Sequence, residues 1–236
     1  CILRLPAGES LVRPRSRCPK CGTMVVWYDN IPVLSWLVLR GRCRHCGQPI
    51  SIQYPIIEAM VAAMWGAAMW HYGAPLAAAT AAVFGTLLLG IAITDARHYI
   101  IPDEFSVGGL VLGLGLSAFG GVPSIVTAVL GAAAGFGLLY GVAWLGAKVF
   151  GKEAMGGGDI KMMAMVGAFV GWKGVLLTVF GGALLGTAVF LPLIALRRGK
   201  EAPLVPFGIF LAAAAALVFL FGQVVVDWYL GVMGLT

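Results

Sequence analysis

Charge is what this sequence has least of. Only 11% of its 236 residues are Asp, Glu, Lys or Arg, while 60% are hydrophobic. A soluble domain carries about 25% charged residues, so the deficit excludes an ordinary soluble globular protein and points to a membrane. Whole stretches hold no formal charge: Ala59–Thr94, Phe105–Ala147, Gly174–Leu196 and Ala202–Val226. A spanning helix needs about 20 apolar residues. The first two stretches are too long for one span and suit two each. Each has a break near its middle, "HYGAP" at His71–Pro75 and "FGGVPS" at Phe119–Ser124, where Gly and Pro mark turns. Spans are therefore expected near 55–73, 75–94, 105–120, 123–147, 174–196 and 205–231. The shorter apolar piece Ile160–Val170 is expected as a seventh, short or tilted segment.

Acids are almost missing from the middles of these segments. The ten are Glu9, Asp29, Glu58, Asp95, Asp103, Glu104, Glu153, Asp159, Glu201 and Asp227, and they gather at segment edges and in loops. A transporter places ionisable groups near the bilayer midplane, on broken helices. A zinc-binding membrane transporter or sensor is the non-enzymatic alternative, and the edge placement argues against it. No glycine-rich nucleotide-binding pattern is found, nor a cleavable signal peptide. The sequence opens on Cys1 without a methionine, so a further N-terminal span is expected upstream.

The positive residues give an orientation. If the segments cross alternately, Arg97, Lys148, Lys152, Lys161, Arg197, Arg198 and Lys200 fall on the side of the N-terminal region, and only Lys173 falls opposite. Positive residues mark the cytoplasmic face, so the N-terminal region is expected in the cytoplasm. The net charge of +6 is accounted for by this asymmetry, with no nucleic acid required.

Residues 1–54 are a different material from residues 55–236, and two domains are expected with that boundary. The first is turn-rich, arginine-rich and holds all five cysteines. Four of them form "RCPKCG" at Arg17–Gly22 and "RCRHCG" at Arg42–Gly47, a weak internal repeat. Two C-x2-C turns supply the four tetrahedral thiolates of a closed structural zinc site, namely Cys18, Cys21, Cys43 and Cys46. Disulfides or a redox pair are the alternatives, and stable disulfides are disfavoured in the cytosol. His45 is read as a bystander and Cys1 as an incidental thiol. A domain this small buries little core, so the metal would substitute for one.

Two carboxylates fall at one depth. Asp95 closes the segment 75–94, and Asp159 opens the short apolar piece after Gly156, Gly157 and Gly158. Ionisable groups at such positions are functional candidates. Three glycines exceed what a helix cap needs; they suit a backbone that lets a partner strand or peptide come close. Two aspartates sharing one site do not both ionise easily, and such a pair activates a water. Asp103 and Glu104 follow Pro102 and precede a span, and are read as a cap and first-turn acids. Gly131–Gly135 and Gly182–Gly186 have the small-x-x-x-small spacing of helix contacts. Trp65, Trp70, Trp172 and Trp228 lie near segment ends, as in an aromatic belt.

"GGGD" at Gly156–Asp159 with the following "IKMMA" resembles the G-x-G-D signature of intramembrane aspartyl proteases. "TDARHYIIPDEF" at Thr94–Phe105 resembles the first aspartate motif of bacterial type IV prepilin peptidases. "LPAGES" at Leu5–Ser10, "DNIPVLSWLVLRGRC" at Asp29–Cys43, "QYPIIEAM" at Gln53–Met60 and the four cysteines are similar to the same family. The resemblance covers nearly the whole chain. It implies an all-α polytopic inner-membrane protein, with about seven segments here and eight in the full family, and a small cytoplasmic zinc-binding domain linked to N-methylation.

It also implies two activities: cleavage of the leader from prepilins and pseudopilins at the cytoplasmic face, and S-adenosylmethionine-dependent methylation of the freed amine. The implied catalytic pair is Asp95 and Asp159, in an active-site loop with Gly156, Gly157, Gly158 and Lys161. Glu9, in the "GES" turn, and Glu58, at the start of a span, are candidates for contact with the substrate amine or the methyl donor. A helix cap or an ion pair with nearby arginines is the alternative for both. A peptidase without methyl transfer remains the second enzymatic reading. Substrate prepilins and membrane lipid are the expected partners.

Overall fold

The computed structural model describes residues 16–121, 123–151, 155–196 and 206–233. Glu9, Cys1, Lys152 and residues 197–205 lie outside the described residues. Among those described, every regular element is helical: α1 (Leu34–Val38), α2 (Gln53–Tyr72), α3 (Pro75–His98), α4 (Asp103–Ala118), α5 (Ile125–Phe150), α6 (Gly157–Leu196) and α7 (Phe207–Val232), with one 3-10 turn at Trp27–Asn30. Pairing between extended segments is limited to two isolated bridges, Arg17 with Met24 and Arg42 with Pro49. The chain divides into two compact units within α3, after Ala82. The expected boundary at residue 54 differs: α2 is grouped with the cysteine region.

Four helices are long and apolar enough to cross a membrane: α3, α5, α6 and α7. The chain is therefore a multi-pass membrane protein. α4, expected as a span, has only 16 residues. α2 is 20 residues long but is diluted by Gln53, Tyr54, Glu58 and His71. α3 runs one turn further than expected, to His98, which puts Asp95 inside the helix rather than at its end.

The two segments expected at 160–170 and 174–196 are both helical and are joined without a loop in α6. Forty residues would make a helix about 60 Å long, twice the hydrocarbon thickness. The break falls at Gly171, whose φ of 70° and ψ of 176° are not helical. The chain turns back there. Before the break, Phe169 stacks on Phe84, which also meets Phe219 of α7. After it, Gly182 packs on Leu211, and Gly186 comes near Phe207 and Phe210. The second arm thus runs antiparallel to α7, back toward the end where α7 begins. Only glycine takes such a positive φ freely.

The core of the second unit is apolar and centred on the first arm of α6. Met162, Met163, Met165, Val166 and Phe169 are essentially inaccessible, packed with Phe84, Leu87 and Ile91 of α3, Leu139 of α5 and Leu211 of α7. Gly131 of α5 lies against the carbonyl of Gly167, and Gly135 against that of Met163. This is the close crossing that small residues permit in bilayers. Trp65, Trp70, Trp172 and Trp228 are all exposed, as aromatic-belt residues are.

Candidate active site and metal centre

The cysteine region repeats one local structure twice. In the first turn, Cys18 N–H donates to Thr23 O and Gly22 N–H donates to Cys18 O, both at 2.9 Å. In the second, Cys43 N–H donates to Gln48 O and Gly47 N–H to Cys43 O, again at 2.9 Å. Gly22 and Gly47 close the turns at φ of 72° and 67°. The "R-C-x-x-C-G" repeat is thus a repeat of backbone geometry. It brings one sulfur from each of Cys18, Cys21, Cys43 and Cys46 within 4.8 Å of one another, and Cys18 Sγ lies 3.8 Å from Cys46 Sγ. A tetrahedron with metal–sulfur bonds of about 2.3 Å has edges of about 3.8 Å, so the sulfurs fit a tetrahedral zinc.

The thiols are also electrostatically unequal. The hydroxyl and amide of Thr23 hold Cys21 down at about 6. Cys46 stands at about 11: the Gln48 amide favours its thiolate, but desolvation and the neighbouring thiols outweigh it. Four thiolates this close need a cation between them, as metal binding supplies.

Two further ties fix this region. Arg44, inside the second turn, grips Asp29 with two hydrogen bonds of 2.8 and 2.6 Å. Trp36 covers Gly41 and donates from Nε1 to Ile50 O at 3.1 Å. Glu58 of α2 does not cap its own helix, whose cap position is Ile52. Its Oε2 accepts the Val33 N–H at 2.8 Å. Val33 has a φ of 62°, costly for a β-branched residue, and the carboxylate secures that turn.

In the second unit, Asp95 sits in the last turn of α3, 6% exposed. Asp159 opens α6 and is half-buried. They are near enough to act on each other electrostatically. Between their turns lies Ile101. Its side chain is 3.1 Å from where a Cβ on Gly158 would stand and 3.0 Å from where one on Gly208 would stand. Of the three glycines before Asp159, only Gly158 is pressed by the chain itself. Gly157 faces open space, and Gly156 has only the Asp159 carboxylate nearby. Gly157, Gly158 and Lys161 belong to the first turns of α6, not to a loop. Lys161 reaches across to Asp103, with both carboxylate oxygens at 2.8 Å. Asp103 does not cap α4: Pro102 holds the cap position with no side-chain bond, and Asp103 and Glu104 lie in the first turn.

Sequence reasoning missed two parts of this site. One is Ile101, which reads as an ordinary apolar residue. The other is the first turn of α7, where Gly208 lies under Asp95 and Ile209 N–H donates to Asp95 Oδ2 at 3.2 Å. The "PFG" at Pro206–Gly208 was the available signal, a proline at a helix cap followed by glycine inside the first turn.

The bacterial peptidase A24 N-terminal domain matches residues 1–72, and the type IV leader peptidase family matches residues 82–191. The prepilin leader peptidase/N-methyltransferase of Myxococcus xanthus is 40% identical over 202 residues, covering 86% of this chain and 60% of that protein. The protein of the same name from Stutzerimonas stutzeri is 35% identical over 227 residues, 95% of this chain and 78% of that protein. That of Pseudomonas aeruginosa is 36% identical over 228 residues, with 97% and 79% covered. The chain thus spans three-fifths of the first relative and about four-fifths of the other two. No solved structure matches it. With both domain matches and these identities along nearly its whole length, the chain belongs to the type IV leader peptidase family.

Proposed function

We propose that this protein cleaves the leader from type IV prepilins and pseudopilins at the cytoplasmic membrane face, and methylates the new N-terminal amine with S-adenosylmethionine. The observation that supports the peptidase reading is Ile101, close both to Gly158 beside Asp159 and to Gly208 under Asp95, at one end of an otherwise apolar bundle. One carboxyl holds a proton and the other is ionised. The ionised partner takes a proton from a water, which attacks the leader carbonyl. The protonated partner donates its proton to the carbonyl oxygen; as the tetrahedral intermediate collapses, the partner that took the water's proton passes it to the departing amine, and the hydroxyl proton returns to the first partner. Gly157 faces open space two residues before Asp159, and Gly156 meets only the Asp159 carboxylate, so an extended substrate backbone fits there. Lys161 and Asp103 brace α6 against α4 beside the site.

Membership of the family and the names of its relatives support the methyl-transfer reading, and with it a substrate role for S-adenosylmethionine. Zinc on the four cysteines is structural: it crosslinks two turns of a region with little core. Glu9 and Glu58 remain proposed as residues near the substrate amine or methyl donor; the bond from Val33 gives Glu58 a positional task as well. The N-terminal region and both aspartates are assigned to the cytoplasm by the positive residues near them.

Asp95→Asn and Asp159→Asn test the dyad. Each should abolish cleavage of a purified prepilin while the protein stays folded, because an amide keeps the size and can neither ionise nor accept the water's proton. The double variant should be no worse than either single one, since residues acting as a unit fail together. Full cleavage by both single variants would sink the reading. Methylation of an already cleaved pilin peptide should survive both changes if the activities occupy separate sites.

A further inference from the structure

We propose that Gly208 and the Ile209 amide, at the start of α7, are positioning residues for Asp95, so that α7 forms a third side of the peptidase site. The proposal rests on the dyad reading above and adds to it an element that neither aspartate motif contains. Asp95 is on α3 and Asp159 on α6. What fixes the direction of the Asp95 carboxylate comes from 114 residues further along the chain, where Ile209 N–H reaches Oδ2 at 3.2 Å. The Gly208 amide faces the same carboxylate.

The amides of a helix's first turn have no partner within the helix and carry its positive end. An ionised carboxylate there is held in place as well as compensated. Pro206 sets the cap in extended conformation, at φ −67° and ψ 106°, so that the turn starts at Phe207. With Oδ2 engaged by α7, Oδ1 is the oxygen left to face the water and Asp159.

Gly208 makes the arrangement possible. A Cβ there would stand 2.6 Å from Asp95 Oδ2 and 3.1 Å from its Cγ; the other close atom is Ile101 Cδ1, at 3.0 Å. Each of these belongs to the outer part of a side chain that can rotate away. An added methyl is therefore cheap for the fold and expensive for catalysis, because the group that yields is the reacting carboxylate. This separates Gly208 from a packing glycine such as Gly131, which is pressed by backbone.

The test uses the full chain in detergent micelles, with a purified prepilin bearing its leader as substrate. Gly208→Ala should lower kcat about 100-fold, the loss expected for a catalytic group displaced by about 1 Å. KM should change less than threefold and the thermal midpoint by only a few degrees. Gly186→Ala, on α6 against Phe207 and Phe210, brings its methyl to ordinary contact distances of 3.8–4.0 Å and should leave kcat within twofold.

A second pair of variants isolates the amide. Ile209→Ala removes the side chain and keeps the N–H. Ile209→Pro also removes the N–H, at the third position of α7, where that N–H has no partner within the helix. The proline variant should have at least a tenfold lower kcat than the alanine variant at similar KM. Wild-type kcat in Gly208→Ala, or equal rates in the two Ile209 variants, overturns the positioning role. If Gly208→Ala fails to fold, the Ile209 pair decides alone. Asp95→Asn serves as the reference: if it is inactive while Gly208→Ala is not, the clamp is wrong and the dyad stands. If it is active, the dyad itself is wrong.

Discussion

Lys161 stands two residues beyond Asp159 and holds both carboxylate oxygens of Asp103 at 2.8 Å. The pair ties the start of α6 to the start of α4, and both side chains are substantially exposed, at 44% and 61%. Exposed ion pairs contribute about 0–1 kcal/mol. Asp103 is therefore a brace, and its replacement should be mild. Asp103→Asn should retain most of the cleavage activity, with a small loss of stability that disappears at high salt. An inactive Asp103→Asn beside an active Asp95→Asn would mean that the catalytic carboxylate is Asp103.

The cysteine site predicts a metal stoichiometry. Purified protein should contain about one zinc per chain, since four thiolates complete one tetrahedral shell. Cys18→Ser should lose the zinc and loosen the region around both turns, seen as faster proteolysis between residues 16 and 52. The membrane helices should keep their helicity, because a helix satisfies its own backbone groups within the bilayer. Metal analysis that returned no zinc, with four titratable thiols, would exclude the site.

The Asp29–Arg44 pair predicts a pH dependence. The Arg44 hydrogen bonds hold the Asp29 carboxyl below the usual carboxylate range, against a smaller opposing effect of desolvation. The folded value lies below the unfolded value of about 3.9. The stabilisation is therefore complete above that value and is lost as pH falls through the folded one. Asp29→Asn should lower the unfolding midpoint of this region at pH 7 by an amount that shrinks toward pH 3. Metal loss in acid affects both proteins, so the difference between them carries the signal. A difference that grew on acidification would refute the assignment.

The turn at Gly171 predicts a topology. Lys173 stands two residues after it, while Lys148 lies in the last turn of α5. Lys173→Cys should react with a membrane-impermeant thiol reagent in intact cells, and Lys148→Cys should not. A cysteine at Gly199, beyond the end of α6, should resist the reagent too. Labelling at 148 or 199 from outside would reverse the sidedness proposed for the aspartates.

Much of this was legible in the sequence, for identifiable reasons. Charge-free runs located the helices because a bilayer tolerates no unpaired backbone and few charges. The cysteine turns were legible because C-x2-C-G closes a ring of four or five residues, with ligands and backbone in one local unit. That Asp95 falls in the last turn of α3 and Asp159 in the first of α6 followed from where the apolar runs end and begin. Contacts that depend on two distant segments were not legible. Ile209 reaches Asp95 through its backbone amide, which every residue but proline possesses, so no side-chain pattern announces it. Ile101 differs from its neighbour Ile100 only in direction, one buried and the other exposed. The bond from Val33 to Glu58 likewise uses an amide. The break at Gly171 was legible as the gap between the segments expected at 160–170 and 174–196; that one glycine makes it without a loop was not.

The crossing of α5 and α6 predicts a division among glycines. A Cβ on Gly131 would run into the carbonyl of Gly167, and one on Gly167 into the carbonyl of Gly131. Backbone cannot rotate aside as a side chain can, so the helices must separate. Overpacking of this kind costs about 1–3 kcal/mol or more. Asp159 rides on the same arm of α6, two turns before Gly167, so separation also moves the carboxylate away from Asp95. Gly131→Ala and Gly167→Ala should each lower the thermal midpoint and the cleavage rate together. Their effects should be less than additive, because either one already opens the crossing. Gly137 lies on α5 with nothing within 4 Å of its absent Cβ. Gly137→Ala should be neutral or stabilising by up to about 0.5–1 kcal/mol, from the helix preference of alanine over glycine. A Gly131→Ala protein as stable and active as Gly137→Ala would show that α5 and α6 do not meet at these glycines.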